Sequence, residues 1–164
     1  MKKATLVLFL ALAASGVAIA QRGVPQFRQY PAAVERAKAP GVDFRRSPDA
    51  RTFRTRLTEA YRRGVNFAGR YIVAGWGCGT GCTNAAVIDT RNGRVYWPSP
   101  FAGVDARYGD GYSDRQLDYR RNSRLLIIHG RPGTENENAG EVDSGDYYYE
   151  WRNNRLRLIR FIKK

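Results

Sequence analysis

The run Trp76-Gly77-Cys78-Gly79-Thr80-Gly81-Cys82 constrains the fold of this chain more than any other segment. Glycine stands at 75, 77, 79 and 81. In an extended strand alternate residues share a face. The four glycines would leave one face bare and put Trp76, Cys78, Thr80 and Cys82 on the other. A bond between the cysteines is incompatible with full extension: four residues of strand span about 13 Å, whereas a disulfide needs Cα atoms about 5–6 Å apart. A bonded pair therefore requires the chain to reverse over Gly79-Thr80-Gly81, where glycine supplies the positive φ of a tight turn.

Whether the pair is bonded depends on the compartment, and the N-terminus speaks to that. Lys2 and Lys3 precede an apolar run over residues 4–14, too short to cross a bilayer. Ser15 and Gly16 break it, and Ala18-Ile19-Ala20 supplies an A-x-A cleavage signal before Gln21. This is the layout of a secretory signal peptide over residues 1–20; the alternative is an uncleaved membrane anchor. No cysteine stands at the cleavage point and no Arg-Arg pair precedes the apolar run, so neither lipoprotein processing nor the twin-arginine route is indicated. The expected location is the periplasm or the exterior, with no transmembrane segment left after cleavage. An oxidising compartment favours a Cys78–Cys82 disulfide, worth about 2 kcal/mol by loop-closure entropy for so short a loop.

Other chemistry for the cysteines is less well supported. A redox dithiol uses C-x-x-C at the start of a helix; this spacing is C-x-x-x-C among glycines. Zinc would need two further ligands beyond the cysteines, and the single histidine, His129, cannot supply them. A cysteine nucleophile with His129 as base needs only those two residues in contact, so a thiol-dependent hydrolase or redox enzyme built on Cys78 or Cys82 with His129 stays open. The glycines resemble a phosphate cradle, but the spacing misses the G-x-x-x-x-G-K-[ST] pattern.

Charge narrows the choice of partner. The formal net charge is +13. Loss of residues 1–20 removes Lys2, Lys3 and no acid, leaving +11. Such a surface favours anionic partners: lipopolysaccharide, anionic lipid, phosphorylated glycan or nucleic acid. Export and the lack of a helix-turn-helix or RNA-binding aromatic signature argue against nucleic acid. The plainer reading is solubility and composition bias. Between Arg131 and Arg152 there is no Lys or Arg, only Glu135, Glu137, Glu141, Asp143, Asp146 and Glu150.

Residues 21–46 carry Pro25, Pro31 and Pro40 and read as an irregular N-terminal arm. Ser47 reads as an N-cap with Pro48 at the first helical position. Phe53, Leu57, Ala60 and Tyr61 recur at helical spacing, predicting an amphipathic helix over about 48–63, ended by Gly64. Strand signals follow at 69–76, 84–90 and 95–97, with Asn92-Gly93 predicting a type I′ hairpin turn. Pro98 and Pro100 stop the third strand. Residues 99–122 read as a long polar loop. Residues 125–129 (LLIIH) read as a central strand buried on both faces. Residues 131–145 read as an acidic loop. Residues 146–152 and 156–162 complete the set around an Asn153-Asn154 turn. The expected fold is mainly β (α+β): a single domain over 47–164, an antiparallel meander or small barrel-like sheet with one leading amphipathic helix.

Three segments carry a wider resemblance: Asn66-Phe67-Ala68-Gly69-Arg70-Tyr71, the glycine–cysteine run, and Val87-Ile88-Asp89 followed by Gly93-Arg94-Val95-Tyr96. Over about residues 66–97 the chain resembles a group of small exported bacterial proteins of unknown function. These share an NFAG-x-Y segment, a WGCGTGC loop and an IID-x-x-x-G-x-V-Y hairpin. The later YYYEWRNNRLRLI stretch is similar as well. The resemblance implies export and one small domain, and assigns no catalytic residue.

The remaining candidates are compositional. Asp105, Asp110, Asp114 and Asp118 could gather around calcium, although they miss the EF-hand spacing and suit an ordinary loop. Tyr147, Tyr149 and Trp151 share one strand face, with Tyr148 and Glu150 on the other. Exposed, that ladder would stack on sugars or bases; buried, it is core. The candidate binding set is Trp76, Thr80, Arg70, Tyr147, Tyr149 and Trp151, with no metal, cofactor or catalytic residue assigned. The expected role is non-enzymatic: binding an anionic envelope component or a protein partner.

Overall fold

The computed structural model describes residues 23–37, 39–133 and 142–164. The expected signal peptide, and Glu135, Glu137 and Glu141 of the acidic segment, lie outside the described residues.

The chain is mainly β, with antiparallel sheets and one α-helix among the described residues. That helix, α1, spans Arg54–Arg63. It is shorter than the 48–63 expected, because Pro48–Arg51 forms a separate 3-10 turn. Pro48 does open that turn, but the Ser47 side chain does not cap it. Its Oγ accepts the Val95 N–H at 3.1 Å instead. A long-range partner outcompeted the local cap. Gly64, at φ +87°, ends the helix as expected.

The expected single meander divides into two sheets, and neither closes into a barrel. In the first, β1 (Tyr71–Gly79) pairs with β2 (Cys82–Asp89). Along its other edge β2 pairs with β3 (Val95–Tyr96) and β4 (Val104–Asp105). The expected polar loop over 99–122 thus holds short strands. A small hairpin of β5 (Arg107–Tyr108) and β6 (Gly111–Tyr112) follows β4. The second sheet runs in the order β10 (Arg155–Lys163), β9 (Gly145–Arg152), β8 (Leu125–Gly130), β7 (Leu117–Tyr119).

Alternation on each strand explains the layers. Val73, Ala85 and Val87 of the first sheet meet Leu126, Ile128, Tyr147, Tyr149 and Trp151 of the second in one buried cluster. The intervening residues Ile72, Ala74, Ala86 and Ile88 face Leu57 and Ala60 of α1. Leu125, Ile127 and Tyr148 face Phe27 and Tyr30 of the N-terminal arm. The central stretches of β1, β2 and β8 are therefore buried on both faces, which is why 71–74, 85–88 and 125–128 read as unbroken apolar runs. Each fully buried Ile or Leu contributes about 1.5–3 kcal/mol of transfer free energy.

The arm is a wall of the domain. Backbone hydrogen bonds join Ala32 to Asn122, Glu35 to Gly69, Ala39 to Thr90 and Asp43 to Gly93, at 2.8–2.9 Å. The buried Ser123 hydroxyl lies 2.8 and 3.0 Å from the carbonyls of Phe27 and Tyr30.

The two asparagine turns behave differently. Asn153 and Asn154 both take positive φ, 53° and 59°, closing the two-residue hairpin between β9 and β10. At the Asn92-Gly93 turn only Gly93 does. Asp89 Oδ1 accepts the Arg91 N–H at 2.9 Å and Asn92 Oδ1 the Arg94 N–H at 2.9 Å. These side-chain bonds hold a longer turn in place of the expected type I′ geometry.

The sheets cross at one corner, where Asp105 and Arg131 exchange backbone hydrogen bonds of 2.9 and 3.0 Å. Gly130 sits there at φ +131°, and a Cβ would lie 2.1 Å from the Asp105 carbonyl oxygen. Gly130→Ala is expected to cost at least about 1–3 kcal/mol of unfolding free energy through strain at this crossing. Gly111→Ala, where a Cβ meets open space, should stay within about 0.5 kcal/mol of the parent. Denaturant midpoints of the two variants check this.

Candidate functional site

The glycine–cysteine run forms the end of the β1–β2 hairpin. Thr80 and Gly81 make the reversal between Gly79 and Cys82, whose Cα atoms are paired. Gly79 and Gly81 take φ of +141° and +66°, as the fold-back requires. Cys78 and Cys82 form a disulfide with Cα atoms 5.1 Å apart. Gly77, Cys78, Gly79 and Thr80 are exposed.

Neighbouring segments brace this tip. The Gly81 carbonyl accepts the Ala106 N–H at 2.7 Å and the Gln116 Nε2–H at 2.9 Å. The Thr83 hydroxyl bonds the side-chain oxygen of Gln116. Tyr112, 74% exposed, stands beside Gly81. Both sulfurs are bonded and no free cysteine is present, so a thiolate nucleophile would first require reduction.

Trp76 lies at the foot of the tip, on the helix side of the sheet. Its ring is 4.6 Å from that of Phe53 and 6.0 Å from that of Trp97, the two indoles crossing at 82°. Phe53 and Trp97 are 5.5 Å apart. These rings, with Asn84, Ala85 and Phe101, line an open cleft of about 260 Å³. Asn84 Oδ1 accepts the Gly103 N–H at 2.7 Å. Sequence reasoning selected Trp76 but missed Trp97, Phe53 and Asn84. Trp97 read as the end of a strand, although an aromatic residue held against Pro98 and Pro100 was a usable signal.

Arg70 sits at the opposite end of the hairpin and does not join this group. Its Nε lies 3.3 Å from Asp89 Oδ1, and its Nη2 donates to the Tyr71 hydroxyl at 2.6 Å. Tyr71 in turn donates to Asn154 Oδ1 at 2.8 Å. Tyr71 therefore links the first sheet to the β9–β10 turn, and Arg70 braces it. Tyr147, Tyr149 and Trp151 are core residues, buried between the sheets. The aromatic ladder offers no face to a ligand; its strand faces a second sheet, which sequence alone did not indicate.

His129 pairs across strands with Asp146, with Nδ1 2.6 Å from Oδ1. Asp146 also accepts the Tyr108 hydroxyl at 2.8 Å, and the Lys164 Nζ lies 3.6 Å from Oδ2. The rival thiol-enzyme reading would need His129 beside a cysteine; its Nδ1 is engaged by this carboxylate. Of the candidate calcium ligands, Asp105 is bound by Arg107 at 2.8 Å and Asp118 lies 3.7 Å from Arg115. Burial raises the Asp105 carboxyl, but hydrogen bonds from Arg107 outweigh it and hold the group below its usual range. Among the described residues no group of three or more His, Cys, Asp or Glu is placed to hold a metal ion.

Burial, then the hydrogen bond to Asp146, pushes the Tyr108 hydroxyl up to about 12. A pKa raised on folding gives stability that is fully present below the unfolded value of about 10 and lost as pH rises through the folded one. Unfolding free energy should fall across that window, and Tyr108→Phe should flatten the fall; urea titrations at stepped pH test it. For the disulfide, reduction or Cys78→Ser should lower stability by about 2 kcal/mol and leave the two-sheet core folded. Unfolding midpoints with and without reductant, alongside far-UV dichroism, check both parts.

Comparisons with protein families, with curated proteins and with solved structures give no match for this chain.

Proposed function

We propose that this chain is an exported, non-enzymatic binding protein whose arginine surface engages an anionic envelope component or an acidic protein partner. The observation that carries the reading is a set of exposed arginines without a carboxylate partner among the described residues. Arg152, Arg155 and Arg157 line the start of the β9–β10 hairpin, and Arg56 and Arg62 stand on the outer side of α1. Several acidic side chains are already engaged, although Glu59 stands exposed on α1 between Arg56 and Arg62 in sequence. Glu150 pairs with Arg124, Glu35 with Arg91, and Asp143 with Lys163. The excess positive charge is thus displayed to solvent rather than neutralised within the fold, and such a surface draws anions from a distance.

The Cys78–Cys82 disulfide suits the oxidising compartment that the signal-peptide pattern predicts. No helix among the described residues is long and apolar enough to cross a membrane. The rival reading, a thiol-dependent enzyme using Cys78 or Cys82 with His129, would need the disulfide opened.

Sedimentation with phosphatidylglycerol vesicles and with lipopolysaccharide tests the proposal. Binding should weaken at least about tenfold between roughly 0.1 and 1 M salt, as the Debye length contracts from about 10 to 3 Å. Arg155→Glu combined with Arg157→Glu should weaken it comparably, and His129→Ala should leave it unchanged. Binding that survives high salt would remove charge as the basis.

A further inference from the structure

We infer that the cleft between Trp76 and Trp97 binds one pyranose ring of a glycan. This assignment does not rest on the charge-based reading above, because no charged residue lines the cleft.

Its walls come first. Trp97 is 37% exposed, at the mouth of a cluster in which three aromatic rings lie within 6.0 Å of one another. Single exposed aromatics need no explanation; three rings gathered around one opening are a different matter. The indoles stand nearly perpendicular, so a flat group lying on one would meet the other at its edge. An aromatic face is electronegative, and the C–H groups on the flat side of a pyranose are weakly positive. A small cation would also be drawn to such faces. Here, however, no carboxylate accompanies the rings and the whole chain is strongly positive, which opposes a cationic ligand.

The polar groups decide between a sugar and an apolar peptide side chain. Asn84 has its Oδ1 held by the Gly103 N–H, which leaves its Nδ2 donors for something else. Those donors, the indole N–H groups of Trp76 and Trp97, and the Ser99 hydroxyl have no hydrogen-bond partner among the described residues. The Asn84, Trp76 and Ser99 donors are not buried unpaired atoms, so water reaches them, and Trp97 is itself an exposed residue. A proline or aromatic side chain entering the cleft would displace that water and leave donors unpaired, at about 1–3 kcal/mol each. A sugar carries oxygens around its rim and can replace the water.

Size and rigidity agree. The cleft, at about 260 Å³, falls below the range of about 300–1,000 Å³ for drug-sized ligands, so it suits one ring with the rest of the glycan running into solvent. Trp76 is two residues from Cys78 of the disulfide, and Pro98 and Pro100 follow Trp97. Both walls are anchored before a ligand arrives, which limits the ordering cost of binding.

The three tryptophans provide the test, since each has one indole N–H signal in a ¹⁵N-labelled sample of the full chain. Trp151 is 2% exposed, in the core between the sheets, and serves as the internal reference. Maltotriose, cellotriose and tri-N-acetylchitotriose are titrated at low and at high salt, with triproline as the peptide comparison. At least one trisaccharide should shift the Trp76 and Trp97 signals saturably and equally at both salt levels, while Trp151 stays in place. Trp97→Ala should weaken that binding about tenfold or more. Trp97→Phe assigns the signal, and the titration of the unaltered chain stands even if the alanine variant does not fold. The proposal is overturned if no trisaccharide moves the two signals, if Trp151 moves with them, or if triproline moves them as strongly as the sugars.

Discussion

The central strands of both sheets are apolar on both faces, and much of the structure follows from the need to cover four faces with a short chain. The two inner faces cover each other, through Val73, Val87, Ile128, Tyr147 and Trp151. The outer face of the first sheet is closed by α1 and that of the second by the proline-interrupted arm. An arm without regular structure can serve as a wall because its carbonyls and N–H groups bond to strand ends and turns at Asn122, Gly69, Thr90 and Gly93. Buried backbone must be satisfied somewhere, and here the turns of the sheets supply the partners.

That packing fixes where chemistry is available. Most of the aromatic material in the last hairpin is consumed by the inter-sheet core. The polar side chains of Arg70, Tyr71, Asp89 and Asn154 link the sheets at one end, and His129 and Asp146 of the second sheet hold Tyr108 of the β5–β6 hairpin near the carboxyl terminus. Among the surfaces left open in the described residues are the β1–β2 hairpin tip with its disulfide, the aromatic cleft at the foot of that hairpin, and the arginines of α1 and β10. These three surfaces differ in kind. The tip is rigid and nearly bare of side chains, the cleft is aromatic with unpaired donors, and the arginine surface is charged and solvated.

Much of the fold was legible because its signals are local. The apolar run at 125–128 marked a strand buried on both sides, and the glycines at 79 and 81 marked a reversal that the disulfide then closes. Asn153-Asn154 marked a two-residue turn. The division into two sheets was not legible. It depends on β4, a strand of two residues, and on an Asp105–Arg131 pairing across 26 positions of sequence, made at a glycine that any turn could have used. The same holds for the candidate site. Trp76 stood out beside the cysteines, but Phe53 and Trp97 are distant in sequence and join it only when α1 docks and β3 pairs with β2.

The sequence by itself determined a mainly β chain with its long strands, the chain reversal at the cysteines and the excess of positive charge. Each is a property of neighbouring residues: periodicity, the φ freedom of glycine, the spacing of two thiols, the sum of charges. Tertiary structure alone decided that Tyr147, Tyr149 and Trp151 are core, that Arg70 braces the Tyr71 link between sheets, that His129 answers to Asp146, and that three aromatic rings meet in a cleft. Those outcomes turn on which faces are covered, and coverage is set by elements far apart in the chain.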